Sequence, residues 1–191
     1  MLFRSLGNKF LSHIREVDAV IHMIRCFDSA DIQNVNPDVN PVRDLEIIET
    51  EMMLADLESI QKRLEKNNKK NVDEEQLKIL EIALDCINND KDISVLKTQF
   101  DTKQLNQSGL LSIKPKIYVC NVDEQSVQNG NKYTNDFIEK FGNENTLIVS
   151  ADIENQINEL PAEEKKNYME MIGLKETGLN MLIQKIGRAH V

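Results

Sequence analysis

The sequence predicts an α/β fold in which a parallel sheet is interrupted by an inserted antiparallel helical hairpin. Short β-branched apolar runs, each followed by polar residues, occur at residues 17–27, 116–120 and 146–150, and such runs are typical of buried parallel strands. Residues 131–141 lie between the last two runs and have the apolar spacing of a helix. Strands that alternate with helices favour a parallel sheet with right-handed crossovers.

The inserted segment begins at Pro41, and a long helix is predicted there because residues 42–66 contain neither glycine nor proline. Two apolar seams with steps of three and four residues are formed by Met53, Leu57, Ile60 and Leu64 and by Leu77, Leu80, Leu84 and Ile87. Such seams are typical of helices that pack against each other. A polar turn at 67–71 separates them, so residues 41–112 are predicted to form a coiled-coil hairpin.

Composition limits the class of protein. The chain has 191 residues, of which 40% are hydrophobic, and its 23 basic and 32 acidic side chains give a net charge of −9. This composition excludes wholesale disorder and suits one domain, or one domain with an insertion. No apolar run approaches the roughly 20 residues of a membrane span, so we expect a cytoplasmic protein without membrane association. The acidic balance argues against sequence-specific DNA binding, which needs clustered basic side chains.

Few residues are candidates for covalent catalysis or metal binding. Cys26, Cys86 and Cys120 lie far apart in the sequence, which excludes a disulfide scaffold and a zinc ribbon. His13 and His22 have no Ser, Cys or carboxylate partner at a recognisable spacing, so core or surface positions are favoured over a triad or a metal site. We therefore expect no catalytic residue and no metal ligand within this chain.

A candidate base-binding motif, Asn121-Val122-Asp123-Glu124, follows the second predicted strand. An Asn followed three residues later by a carboxylate can present an amide and an acid to a purine, as the Asn-Lys-x-Asp motif of GTPases does. Val122 stands in place of Lys, and Glu124 in place of Asp. The longer acid predicts weaker guanine selectivity, so base preference moves toward adenine or relaxes. The alternative is an Asx turn that ends the strand.

A second candidate, Ser150-Ala151, follows the third predicted strand and matches the Ser-Ala pair that closes over the base in many GTPases. The alternative is an ordinary strand-to-helix turn in which Ser150 or Asp152 caps the helix. Ligands of open α/β sheets bind at the carboxyl ends of the strands, where both motifs are predicted to lie. No Gly-x-x-x-x-Gly-Lys-[Ser/Thr] loop occurs in the 191 residues, so nothing in this chain is expected to hold a triphosphate or its Mg²⁺.

The two ends of the chain are predicted to be non-native. One DNA cassette read in opposite directions can encode both Leu2-Phe3-Arg4-Ser5 and Ile186-Gly187-Arg188-Ala189. Both ends resemble read-through of a sequencing adaptor, so residues 1–5 and 186–191 are excluded from fold reasoning. The remaining chain is then expected to be an internal piece of a longer protein.

Long strings of the sequence resemble the YchF-type Obg-like ATPases, over essentially all of residues 6–185. The strings are Leu6 to Ala19, Ile24 to Phe27, Pro41 to Ile48, Leu54 to Glu58, Lys62 to Lys66, Asn121 to Glu124, Ser150-Ala151 and Gly173 to Leu179. The resemblance implies a partial P-loop NTPase (Rossmann-like) fold. Residues 6–40 and 113–185 would be parts of an OBG-type G domain and residues 41–112 its coiled-coil insertion, while the P-loop and a TGS domain lie outside the chain.

The resemblance also implies function. The complete protein would be a ribosome-associated NTP phosphohydrolase that takes part in translation or stress regulation, using Mg²⁺ and ATP, or GTP as well. Asn121, Val122 and Glu124 would line the adenine, and Ser150 and Ala151 would close the site. This chain alone would be inactive, because the phosphate and Mg²⁺ sites are missing. The alternative function is a non-enzymatic helical-hairpin module for protein interaction, carried on an α/β scaffold.

Overall fold

A computed structural model describes residues 10–29, 38–67 and 73–189 of the chain. Residues 1–5 and 190–191, which belong to the predicted adaptor-derived ends, lie outside the described residues, as does the predicted polar turn except for Asn67. The chain divides into two compact units, Met1–Val20 with Glu46–Pro115 and Ile21–Leu45 with Lys116–Val191. The assignment of residues 41–112 to a separate insertion stays a prediction.

The second unit is built on a three-stranded sheet. The strands are β1 (Val20–Arg25), β2 (Lys116–Asn121) and β3 (Thr146–Val149), and their order in the sheet is β1-β2-β3. β2 and β3 are parallel, with Tyr118 opposite Thr146 and Asn121 opposite Val149. The predicted α/β fold class, with strands at these three places, is confirmed.

β1 departs from the prediction of a strand buried throughout. His22 and Ile24 are buried, whereas Ile21 is 45% exposed and Met23 is 66% exposed. Successive side chains of a strand point to opposite faces, so this alternation means that the described part of the chain covers only one face of β1. The ring of His22 lies 5.7 Å from that of Tyr118 on the covered face. His22 is therefore a core residue.

Helices α6 (Lys132–Phe141), α7 (Ala151–Glu159), α8 (Ala162–Met171) and α9 (Gly178–Ala189) complete the second unit. α6 begins where predicted, because Asn131 and Thr134 form a reciprocal capping box. Its last residue precedes Gly142, whose φ of 83° suits glycine. The buried core between sheet and helices consists of Ile24, Cys26, Leu45, Tyr118, Cys120, Val122 and Phe137. These contacts fix the carboxyl ends of the strands.

The first unit is helical. Residues 10–16 form α1, followed in the chain by α2 (Pro41–Asn67), α3 (Glu74–Asn88), α4 (Leu96–Gln99) and α5 (Thr102–Ser108). α2 belongs to this unit from Glu46 onward. Asp73 caps α3 by accepting from the backbone nitrogen of Glu75. No helix in residues 10–29, 38–67 and 73–189 combines the length and hydropathy that crossing a membrane requires.

The predicted seams are formed in part: Ile60 and Leu64 of α2 pack in one cluster with Leu80, Leu84 and Ile87 of α3. Ile60 of α2 lies in one buried cluster with Ile79, Leu80 and Ala83 of α3. Met52 is fully buried, whereas Met53, which was predicted to lie in the seam, is 39% exposed. Met52 packs with Ile14 and Leu111 and not with α3. The stripe of fully buried residues on α2 steps by four residues from Met52 through Asp56 to Ile60. Its middle member is a carboxylate with no exposed surface, which an apolar pattern cannot reveal.

Candidate functional site

The loops that follow β2 and β3 begin side by side. Asn121, the last residue of β2, pairs in register with Val149, the last residue of β3. Because parallel strands present their carboxyl ends at one edge of the sheet, the residues after both strands share that edge. The two sequence motifs, separated by about thirty residues of chain, are thereby neighbours.

A hydrogen bond joins the two loops directly. The Oδ1 atom of Asn121 accepts from the backbone nitrogen of Ala151 at 2.9 Å. This bond is not the local Asx turn that was the alternative reading of the motif. The turn role belongs to Asp123, whose side chain accepts from the backbone nitrogen of Ser126 at 2.9 Å. The Nδ2 amino group is thus the part of Asn121 that can donate to a ligand.

Val122 turns its side chain inward. It is 2% exposed and belongs to the buried core cluster beneath the sheet. Its backbone nitrogen donates to the carbonyl oxygen of Val149 at 2.9 Å, which extends the pairing of the two strands by one residue. The side chain of Val122 therefore cannot stack on a ligand at this edge, and its contribution there is limited to the backbone.

The hydroxyl group of Ser150 is buried and has no hydrogen-bond partner among the described residues. The residue is 1% exposed and occupies the position before α7, yet its side chain makes no capping bond. The capping role that was the alternative for Ser150 is therefore absent. A buried hydroxyl without a partner lowers stability by about 1–3 kcal/mol, and either an ordered water or a polar group of a ligand would satisfy it.

The carboxylate of Glu124 is held by a chain of two hydrogen bonds. Its Oε1 atom accepts from Nε2 of Gln156 at 2.5 Å. The Oε1 atom of Gln156 accepts in turn from the hydroxyl group of Tyr168. Gln156 lies on α7 and Tyr168 on α8, so both helices that follow β3 position the acid of the first motif.

A cleft of about 380 Å³ lies next to Glu124. The loop after β2 lines one side, and Ile153, Tyr168 and Ile172 line the other. Gln128 of the loop donates through Nε2 to the carbonyl oxygen of Ile172 at 2.5 Å, which ties the two sides together. An apolar wall beside a few fixed polar groups is the usual lining of a pocket for a small organic ligand.

The described residues near the sheet offer no activated nucleophile. A hydrogen bond with Cys120, together with burial, raises the pKa of the Cys26 thiol well above its usual range. A thiol that stays protonated is neither a nucleophile nor a good metal ligand. In the described parts of the chain, no group of three or more His, Cys, Asp or Glu side chains could hold a metal ion.

Comparison with known proteins gives the family. The chain is 39% identical over 189 residues to the ribosome-binding ATPase YchF of Bacillus subtilis (strain 168), covering 94% of this chain and 52% of the relative. It is 36% identical over 187 residues to the protein of the same name from Haemophilus influenzae, covering 94% and 51%. The solved structure of the Schizosaccharomyces pombe YchF GTPase matches with a TM-score of 0.79 at 28% identity, covering 95% of this chain and 52% of that one.

The chain is similar to the YchF proteins over 94% of its length. No general family model matches it. The chain spans about half the length of the curated YchF relatives that it matches. Its resemblance to the YchF-type Obg-like ATPases, stated from sequence strings, is confirmed, and so is the partial P-loop NTPase fold class.

Two residues that position Glu124 lie outside every motif found in the sequence. Gln156 and Tyr168 lie 32 and 44 residues beyond Glu124 along the chain, as the numbering shows. Neither stands in a motif, and a helical glutamine or tyrosine has no sequence signal that links it to a distant acid. Only the packing of α7 and α8 beside the loop after β2 brings the three side chains together.

Proposed function

We propose that this chain is the base-binding part of a ribosome-associated, cytoplasmic protein that binds and hydrolyses ATP, preferring ATP over GTP or accepting both. The relatives from Bacillus subtilis and Haemophilus influenzae are named ribosome-binding ATPases, which supports the proposal. The observation that carries it is the bond between Asn121 and Ala151, because this bond assembles both base-recognition motifs at one edge of the sheet.

The residues present suit the purine end of a nucleotide. Asn121 keeps an amide donor for a ring nitrogen, and Glu124 offers a carboxylate acceptor for an exocyclic amino group. In the part of the chain that the structure describes, the buried Ser150 hydroxyl group has no partner, and a bound base would supply one. We propose that Asn121, Glu124, Ser150 and Ala151 contact the base, together with the backbone of Val122.

The phosphates require residues that the 191-residue sequence does not contain, because it has no Gly-x-x-x-x-Gly-Lys-[Ser/Thr] loop. In the proposal, a P-loop outside this chain holds the phosphates and Mg²⁺, which supplies charge neutralisation for phosphoryl transfer to water. The role of the present residues is to hold and orient the base. The chain alone is therefore expected to bind nucleotide weakly and not to turn it over.

A titration of the complete protein tests this function. ATP and GTP carrying a fluorescent ribose label are titrated into the wild type and into Asn121→Ala. We expect ATP to bind at least as tightly as GTP. Asn121→Ala should weaken the binding of both nucleotides about 10-fold or more, because it removes the bond to Ala151 and the proposed amide donor to the base. Asn135→Ala, at an exposed position on α6, is the matched control and should leave both affinities unchanged.

Two results would contradict the proposal. A strong preference for GTP would refute the assignment of Glu124, and an unchanged affinity in Asn121→Ala would return that residue to a structural role. Failure of the complete protein to bind either nucleotide would favour the alternative, a non-enzymatic helical-hairpin module. Ribosome association is checked separately, by sedimentation of the complete protein with purified ribosomes. Recovery of the protein in the supernatant alone would refute the proposed ribosome association.

A further inference from the structure

We propose that Gln156 is a specificity-determining residue of the base site, and that it disfavours guanine by occupying one oxygen atom of Glu124. The inference rests on the proposed function, since it concerns the choice between purine nucleotides at the same site. It assigns a discriminating role to a side chain that lies outside both base-recognition motifs.

Chemistry fixes the direction of the hydrogen bonds around Gln156. A carboxylate only accepts, so the amide end that faces Glu124 at 2.5 Å is the amino end. The carbonyl end then faces the Tyr168 hydroxyl group, which donates to it. Rotating the amide by half a turn would set a carbonyl oxygen against the carboxylate. Tyr168 therefore locks the orientation in which Gln156 donates to Glu124.

The backbone around Gln156 is held firmly. Ile153 and Ile157, which flank it on α7, are 3% and 2% exposed. Glu154 on the same helix accepts from the backbone nitrogen of Gly178 at 2.6 Å. Tyr168 is half-buried in α8. Because the donor is anchored on a packed helix, Glu124 is held as well, although its own side chain is exposed.

The two purines differ in how many donors they present to an acid. Guanine presents N1–H and the 2-amino group side by side, and these match the two oxygens of a free carboxylate. Adenine presents one exocyclic amino group, for which a single oxygen suffices. The bond from Gln156 takes one lone pair of Oε1 and fixes the orientation of the carboxylate, while Oε2 accepts no bond from the described residues. Glu124 can then serve the single amino group of adenine through Oε2, whereas the two-point pairing with guanine is weakened at Oε1.

The test compares ATP, GTP and inosine triphosphate in the complete protein. Inosine keeps N1–H but lacks the 2-amino group, so the ratio of GTP to inosine triphosphate affinity reports whether the second oxygen of Glu124 is available. In the wild type we expect the two to bind equally within about 2-fold. In Gln156→Ala we expect GTP to bind about 3- to 10-fold more tightly than inosine triphosphate, the effect of one added hydrogen bond.

Two further variants separate this role from a structural one. Gln156→Lys keeps a donor toward Glu124 and should keep the wild-type ratio. Asn155→Ala, which removes an exposed neighbour bonded to Glu159 on the same helix, should also keep it. Thermal unfolding of each variant verifies folding, and a loss of stability does not by itself change the ratio.

The outcomes distinguish this inference from the proposed function. Suppose that the wild type binds nucleotide and that Asn121→Ala weakens this binding. If Gln156→Ala then leaves the ratio of GTP to inosine triphosphate affinity at the wild-type value, the inference is overturned and the proposed function stands. If the wild type binds none of the three nucleotides, the proposed function is overturned together with it. If Gln156→Ala raises the ratio of GTP to inosine triphosphate affinity and Gln156→Lys keeps the wild-type ratio, both the inference and the proposed function are supported.

Discussion

The carboxylate of Asp56 accepts a hydrogen bond of 2.9 Å from the backbone nitrogen of Leu111, 55 residues further along the chain. The backbone nitrogen and hydroxyl group of Ser112 donate to its other oxygen at 2.8 and 2.7 Å. Arg15 of α1 lies 3.5 Å away. A fully buried charge is tolerated because several donors replace water around it. Asp56 thus fastens α2 to the segment that leads back toward the sheet.

Asp56→Ala should lower the free energy of unfolding by about 3–5 kcal/mol, because it leaves buried donors without an acceptor. Urea denaturation of the 191-residue chain measures this change. Glu58→Ala is the matched control on the same helix, since its ion pair with Lys62 joins side chains that are 68% and 67% exposed. This control should lower the free energy of unfolding by no more than about 0.5 kcal/mol. Equal losses in the two variants would contradict the anchoring role of Asp56.

Lys114 should make stability rise with pH in the alkaline range. It is 6% exposed, and its Nζ atom donates to the carbonyl oxygens of Arg15 and Val17. Burial lowers the pKa of Lys114 below its ordinary range, and nearby Arg15 acts in the same direction, against the carboxylates of Asp18 and Asp56. Between the lowered pKa and about 10.4, the unfolded chain binds the proton and the folded chain does not, so stability increases as pH rises.

The measurement for Lys114 is urea denaturation of the wild type and of Lys114→Met at several pH values between 7 and the ordinary lysine pKa, about 10.4. The wild type should gain stability across this window, while the variant, which keeps the apolar stem without the titrating group, should show a flatter profile. Identical slopes in the two proteins would show that Lys114 titrates alike in the folded and unfolded states.

Local signals explain which parts of the fold could be predicted. β2 and β3 follow from continuous apolar runs, and α6 follows from Asn131 at its start and Gly142 after its end. Each of these signals lies within the element that it specifies. The buried Asp56 could not be predicted, because its acceptor role depends on backbone donors 55 and 56 residues away.

In the candidate site too, some features could be predicted from the sequence and others could not. That Asn121 and Ser150 lie at neighbouring strand tips follows from the order of strands and helices in a parallel sheet. The inward side chain of Val122 and the contact of Gln156 with Glu124 follow from packing that no short motif encodes. The role of these residues in nucleotide binding stays a prediction.

Ser150→Ala should separate stability from binding. Residues 10–29, 38–67 and 73–189 offer its buried hydroxyl group no partner, so its removal should leave the unliganded protein unchanged or up to about 1 kcal/mol more stable. Nucleotide affinity of the complete protein should fall in the same variant, because the ligand loses a hydrogen-bond partner. Thermal unfolding and ATP titration of the two proteins measure these opposite effects.

Ser108→Ala is the matched control, since Ser108 is equally buried at 1% exposure but satisfied. Its hydroxyl group donates to the carbonyl oxygen of Leu105 at 2.5 Å and accepts from the backbone nitrogen of Leu110. Its removal should destabilise by about 1–2 kcal/mol without a specific effect on nucleotide. If Ser150→Ala destabilised as much as Ser108→Ala, its hydroxyl group would have a partner within the folded protein.

Gly178 should tolerate no side chain, because α9 begins in contact with the end of β3. A Cβ atom at Gly178 would lie 2.7 Å from both γ-carbons of Val149, the register partner of Asn121. Gly178→Ala should therefore destabilise by about 1–3 kcal/mol in urea denaturation. Adding Val149→Ala removes both clashing carbons, so the double variant should lose less stability than the sum of the single variants. If the losses of unfolding free energy in the two single variants add up in the double variant, the end of β3 accommodates the added methyl group. In that case α9 does not fix the position of the strand ends, where Asn121 lies.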